Sequence, residues 1–176
     1  MNRWFIPFCC LALGALNAPA QPAKLTVTSA AFGPGQPIPV KYTGQGDDCS
    51  PPLQWEGAPA ATKSFALICD DPDAPGGTWV HWVIYNLPPG APSLSENTPK
   101  SETLPGGATQ GRNSFRKIGY GGPSPPSGKA HRYFFKVYAL DSLLTLQGRP
   151  TKDELLVAMR GHILAQGQLM GTYQRQ

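Results

Sequence analysis

GYGGPSPPSGKAHRYFFKVYAL, residues 119–140, joins two kinds of chain. Its first half carries too much glycine and proline for regular structure, and its second half is an apolar run with the composition of a strand. Pro123, Pro125 and Pro126 fix φ along the loop and stiffen it. Side chains on a strand alternate between faces, so His131 and Tyr133 share one face, which Phe135 and Val137 continue inward. An imidazole and a phenol side by side at a strand entrance, behind a stiff loop, describe one wall of a small polar pocket.

Strand-like runs recur upstream. SFALIC (64–69) is apolar on both faces and reads as a central strand. WVHWVIYN (79–86) alternates, with Trp79, His81, Val83 and Tyr85 on one face and Val80, Trp82 and Ile84 on the other. KLTVTSAA (24–31) and IPVKYT (38–43) are expected as half-buried strands around the turn FGPGQP. Residues 91–118 are polar and irregular, and are expected to form a surface excursion. The period changes only near the C-terminus. Thr151 and Glu154 form a capping box, and Leu155, Leu156, Met159, Ile163 and Leu164 follow at helical spacing. A helix over 151–166 is expected, with Leu155, Met159 and Ile163 buried and Gly167 as its stop. The fold class is mainly β: an antiparallel sandwich with a C-terminal α-helix.

A second segment, DDPDAPGGTWVHW (70–82), places Asp71 and Asp73 in a proline-locked turn and His81 on the strand that follows. Together with HRY at 131–133, this resembles the phosphatidylethanolamine-binding protein (PEBP) family, in its bacterial Raf-kinase-inhibitor-like (YbhB/YbcL) branch. CSPPLQW (49–55), YNLPPG (85–90) and AMRGHILAQGQLMGTY near the C-terminus extend the resemblance over nearly all of the chain after residue 24. It implies a PEBP-like sandwich in which Asp71, Asp73, His81, His131 and Tyr133 surround one anion-binding pocket. Trp79, Tyr120 and Pro125 are further candidates for its lining. Only Gly76–Val80 separate DPDAP from His81, where the eukaryotic branch carries a longer insert.

The first twenty residues stand apart. Arg3, the apolar run FIPFCCLALGAL and Ala18-Pro19-Ala20 have the three-part form of a cleavable signal peptide, with cleavage expected after Ala20. Residues 21–176 are expected to form a single PEBP-like domain, periplasmic or secreted. The leader's apolar run is shorter than the roughly 20 residues a membrane span needs, and no later run is longer, so no transmembrane segment is expected. Without Arg3 there remain 14 basic and 11 acidic residues. That small excess, with no dense Lys/Arg run, gives no reason to expect nucleic acid; Arg112, Arg116 and Lys117 read as a solvated patch. Cys9 and Cys10 fall in the leader and lack a lipoprotein-type context. Cys49 and Cys69 remain, either as a disulfide suited to an oxidising compartment or as two separate thiols.

The candidate chemistry is that of an anion site. His81, His131, Tyr133 and loop N–H groups are donors for a phosphate. A carboxylate there can hold an imidazole in place, or receive the ammonium of a zwitterion such as phosphoethanolamine. The same His/Asp set admits a rival reading as acid and base or as a metal site. No G-x-S-x-G, H-E-x-x-H or Walker signature supports it, and Ser124 lies in G-x-S-x-P. The reading is therefore a non-catalytic binding protein with no cofactor and no metal. A protein-inhibitor or signalling module is a third class, because relatives are named for inhibiting kinases or proteases. An exported chain would not meet a cytoplasmic kinase.

Overall fold

The computed structural model describes residues 22–90 and 92–175 of the 176-residue chain. The leader, with Cys9 and Cys10, lies outside them. The strands are β1 (Ala23–Lys24), β2 (Thr26–Thr28), β3 (Leu53–Glu56), β4 (Ser64–Asp71), β5 (Trp79–Leu87), β6 (Ser93–Leu94), β7 (Thr109–Gln110), β8 (His131–Leu140) and β9 (Ile163–Tyr173). One helix, α1, spans Lys152–Ala158. A six-stranded sheet runs β1-β9-β8-β4-β5-β7, and a three-stranded sheet runs β2-β3-β6. Every pairing is antiparallel except β1 with β9.

β4 sits in the middle of the large sheet, and every one of its eight residues is buried, as a run apolar on both faces requires. Its inner face, with Phe65, Leu67 and Cys69, meets Trp55 of the small sheet in the main core, joined by Trp82, Phe135, Val137 and Leu169. Its outer face, with Ala66 and Ile68, packs with Val83, Tyr85 and Leu140 under Leu155 of α1 and its C-cap residue Met159. The helix thus covers the side of the sheet that the second sheet leaves open. Asp70 also faces outward there. Although fully buried, it is paired with both Lys136 and Lys152, which is how a charge is accommodated inside a protein.

Four expectations are corrected. The helix is half the expected length and is not the last element. Thr151 and Glu154 do form the capping box, and Leu155 and Met159 are buried. Gly161, at φ +78°, then turns the chain into β9, so Ile163 lies on a strand and is only half-buried. From Ala165 the period is two, with Ala165, Leu169 and Tyr173 buried. Gly167 is therefore no helix stop but a mid-strand residue paired with Val137. IPVKYT is not a strand either. Pro37 and Pro39 lack the N–H groups a ladder needs, and Val40–Tyr42 forms a 3₁₀ turn. Residues 91–118 are more than a surface excursion. They contribute β6 and β7, and the fully buried Gln110 accepts from Trp82 Nε1 at 2.6 Å while donating to Pro99 O and Ser101 O at 2.7 Å.

Cys49 and Cys69 form no disulfide; both are free, buried thiols. Cys69 lies on β4 between Trp82 and Phe135, while Cys49 Sγ donates to Lys41 O at 3.7 Å. Burial pushes both thiols up from their ordinary range, so they act as small apolar core groups.

Gly167 lets β1 approach the sheet: a Cβ there would lie 2.2 Å from Leu25 O. Gly167→Ala is expected to cost about 2 kcal/mol or more of unfolding free energy, because backbone rather than a flexible side chain must give way. Urea denaturation measures it, and a loss within about 0.5 kcal/mol, usual for uncritical surface positions, would contradict this packing.

Candidate functional site

The polar pocket lies where the ends of β4, β5 and β8 meet two loops. β4 ends in Asp71, β5 opens with Trp79 and carries His81, and β8 opens with His131 and Tyr133. These side chains, with Ala74 and Pro75 of the proline-locked turn, Phe115, and Ser124, Pro125 and Pro126, line a cavity of about 180 Å³. The strand alternation that set His131 beside Tyr133 holds, and both are buried.

His81 reaches the cavity through a β-bulge. Cys69 pairs with Trp82 and Asp70 with Val80, so His81 is the extra residue between them. The bulge breaks the period of two: Trp79 and His81 face the cavity as expected, but Trp82 follows onto the same side. Val83 and Tyr85 go to the helix-covered face, where Val80 also packs. Bulges re-aim side chains in this way beside functional sites. Several of the freed backbone groups find partners. Val80 N donates to Ser114 Oγ at 2.9 Å, and Gly121 N donates to His81 O at 3.0 Å. Gly121 O in turn takes the Nδ1 proton of His81 at 2.5 Å. A Cβ at Gly121 would sit 2.7 Å from the Phe115 ring, so any larger residue there would displace that ring.

That carbonyl can only accept, so His81 carries its proton on Nδ1 and presents Nε2 as a lone pair. Nε2 is buried without a hydrogen-bond partner; the Tyr133 hydroxyl is buried too and makes no well-formed hydrogen bond, with the Asp71 carboxylate close by. Burial, against the weaker pull of nearby carboxylates, lowers the affinity of His81 for a second proton. Burial also raises the Tyr133 phenol far above its ordinary range, helped by the charge of Asp71, so Tyr133 remains a neutral donor. The His81 ring meets Tyr133 and Phe115 edge to face, with centroids 5.2 and 5.5 Å apart.

Asp71 serves two partners. Its Oδ2 accepts from His131 Nδ1 at 2.8 Å, and its Oδ1 accepts from Asp73 N at 2.8 Å. It therefore orients the imidazole and leaves His131 Nε2 for a ligand. Asp73 is not in the cavity. Both its oxygens are held in a fork by Arg132 at 2.7 and 2.9 Å, and Arg132 N adds a third bond at 3.0 Å. The guanidinium lowers the Asp73 carboxyl to about 2. Asp73 thus clasps the turn to β8. Tyr120 lies beneath the site, fully buried with its hydroxyl on Tyr42 O at 2.9 Å, and does not line the cavity. Trp79 and Pro125 do.

Sequence reasoning missed Phe115. It comes from the irregular 91–118 segment, stands 5.4 Å from the Trp79 ring and with it forms an exposed aromatic rim. Among the described residues, no group of three or more His, Cys, Asp or Glu side chains is placed to hold a metal ion, and no helix is long and apolar enough to cross a membrane.

A two-sheet sandwich with one short helix and a cavity at its strand ends is the architecture of the PEBP fold. The chain belongs to the phosphatidylethanolamine-binding protein family, whose model matches residues 28–174. It is 51% identical over 145 residues to a UPF0098 protein of Methanothermobacter thermautotrophicus, covering 82% of this chain and 95% of that one. It is 43% identical to a UPF0098 protein of Pyrococcus abyssi, covering 98% and 99%. Among solved structures, a PEBP homologue of Chlamydia trachomatis is similar at TM-score 0.80 and 44% identity, over 87% of this chain and 99% of that one. E. coli YbcL is similar at TM-score 0.81 and 34% identity, over 88% and 100%.

The Asp73–Arg132 clasp has a pH signature. The folded-state carboxyl is depressed from 3.8 to about 2, so its stabilisation is present above the ordinary carboxylate range and is lost as pH falls through about 2. Because Arg132 is half exposed, the effect is discounted for solvent screening. Asp73→Asn is expected to cost about 1 kcal/mol near neutral pH, and urea titrations of both proteins should converge on acidification. A constant gap across that window would contradict the clasp.

Proposed function

We propose that this chain is an exported binding protein whose cavity takes a small phosphate-type anion without turning it over. The observation that carries the reading is the pair of unsatisfied buried polar atoms, His81 Nε2 and Tyr133 Oη, on two side chains of one cavity. Leaving such groups unpaired costs about 1–3 kcal/mol each, and a ligand with several oxygens would satisfy them together. The cavity, about 180 Å³, suits a phosphate or a headgroup-sized ester. Tyr133 donates its hydroxyl. His131 donates to Asp71 through Nδ1, which leaves its Nε2 to engage the ligand.

The employment of each charged group supports binding over catalysis. Asp71 orients His131, Asp73 is clasped by Arg132, and His81 is held at Nδ1 by Gly121. Of the two roles open to the carboxylates, holding an imidazole fits Asp71, and neither carboxylate is left over for a zwitterion's ammonium. Trp79, Phe115, Pro125 and Pro126 give the ligand's substituent an apolar exit.

Calorimetry with inorganic phosphate tests the site. His131→Ala and the gentler Tyr133→Phe, which removes only an oxygen, should each weaken binding by roughly 1.5–3 kcal/mol, the range for hydrogen bonds to charged groups. Wild-type affinity in both variants would overturn it. Export rests on the tripartite N-terminus. N-terminal sequencing of secreted protein should begin at Gln21, and a retained Met1 would overturn that reading.

A further inference from the structure

Phe115 and Ser124 belong to two cavities. They line the one described above, and they also line a second one of about 300 Å³. There Ile118 and the Tyr120 ring add apolar surface, while Asp48, Lys100, Asn113 and Lys117 supply polar groups. We propose that this second cavity is a binding site for a small monocarboxylate with an apolar body, such as an arylacetate. It is separate from the phosphate-type site above and does not rest on that reading.

The charge of the ligand follows from which polar groups are already employed. Asp48 is the one carboxylate in the lining. Its Oδ1 accepts from Gly122 N and its Oδ2 from Lys100 Nζ, both at 2.6 Å, and Lys100 Nζ also reaches Asp48 O at 2.8 Å. Neither member of that pair is spare for a ligand. The buried Asn113 donates through Nδ2 to Gly119 O at 2.9 Å and accepts from Lys117 N at 3.0 Å, and the Tyr120 hydroxyl is held by Tyr42 O. The Lys117 ammonium and the Ser124 hydroxyl remain. Among the described residues, neither side chain makes a hydrogen bond or ion pair. An ammonium can only donate, so the matching ligand group is an anionic acceptor, and the rings of Phe115 and Tyr120 with Ile118 receive its apolar body. The walls are set before binding: Asn113 closes the loop that carries Phe115 and Lys117, and Gly44 N holds Pro123 O at 2.8 Å beside Ser124. At about 300 Å³ the cavity stands at the lower end of small-molecule sites, so one compact molecule fills it.

Phenylacetate is the probe, with phenylacetamide as its uncharged counterpart of the same shape. Titrated into the ¹⁵N-labelled protein near neutral pH, where its carboxylate is ionised, phenylacetate should shift the amide signals of Gly44, Lys117, Ile118 and Gly122 to saturation. Lys117→Met keeps the apolar stem and removes the charge. It should weaken phenylacetate binding by about threefold to fivefold, the scale of an exposed ion pair, and phenylacetamide should bind wild-type protein more weakly by a similar factor. Lys117 is exposed, so the variant is expected to fold, and its spectrum away from the cavity serves as the check. The absence of any saturable shift overturns the site. Shifts confined to His81, His131 and Tyr133 would put the acid in the first cavity and overturn it equally. Equal affinity for acid and amide, with Lys117→Met binding as wild type, overturns the assignment of the ligand as a carboxylate.

Discussion

The reciprocal pair between His81 and Gly121 is the interaction on which the rest of the site depends. Gly121 gives its N–H to the His81 carbonyl and takes the His81 Nδ1 proton on its own carbonyl. Two bonds therefore tie the bulge of β5 to the loop that forms the facing wall. They fix the orientation of the imidazole, its tautomer, and the distance across the cavity at once. Gly122 extends the tie by donating to Asp48 at 2.6 Å, and Gly44 donates to Pro123 O at 2.8 Å. The proline-rich segment beyond is thus anchored at its base and stiff along its length, so the cavity exists before any ligand arrives.

The two faces of β4 divide the protein's work. Consecutive aspartates at its end point to opposite sides. Asp70 is neutralised by Lys136 and Lys152 and helps secure α1 to the sheet, while Asp71 orients His131 in the cavity. Alternation along one strand thereby separates a structural ion cluster from a binding group, with no residue serving both. Asp73, two residues on, belongs with the structural set, because its fork with Arg132 fixes the turn that carries Ala74 and Pro75 to the cavity.

Much of this was legible in the sequence, and the failures have physical causes. β4 and β8 were readable because their ladders are long and their burial patterns simple, and His131 and Tyr133 came with them. DPDAP and HRY brought Asp71 and His81 to the same site. The bulge was not legible, because a period-two reading assumes an unbroken ladder, and so Val83 and Tyr85 were assigned to the wrong face. β9 was misread because Ile163 and Leu164 happen to continue the spacing of Leu155 and Met159, while Gly167 imitates a helix stop. Its role, making room for Leu25 O, depends on the link between β1 and β2, more than a hundred residues away. Phe115 was missed for the same reason: only tertiary closure brings it to His81. Asp73 was placed in the cavity by its motif, whereas its fork with Arg132 forms only once the tertiary fold brings the turn against β8.

The central claim is that two unsatisfied polar atoms, one donor and one acceptor, make this cavity a phosphate-type site. A crystal structure of the mature protein grown with inorganic phosphate tests it most directly. The expected result is a phosphate in the cavity, with separate oxygens about 2.7–3.2 Å from His81 Nε2 and His131 Nε2, the range of N···O hydrogen bonds, and one accepting from the Tyr133 hydroxyl. A cavity holding only water, or a phosphate bound elsewhere with those atoms unengaged, would contradict it.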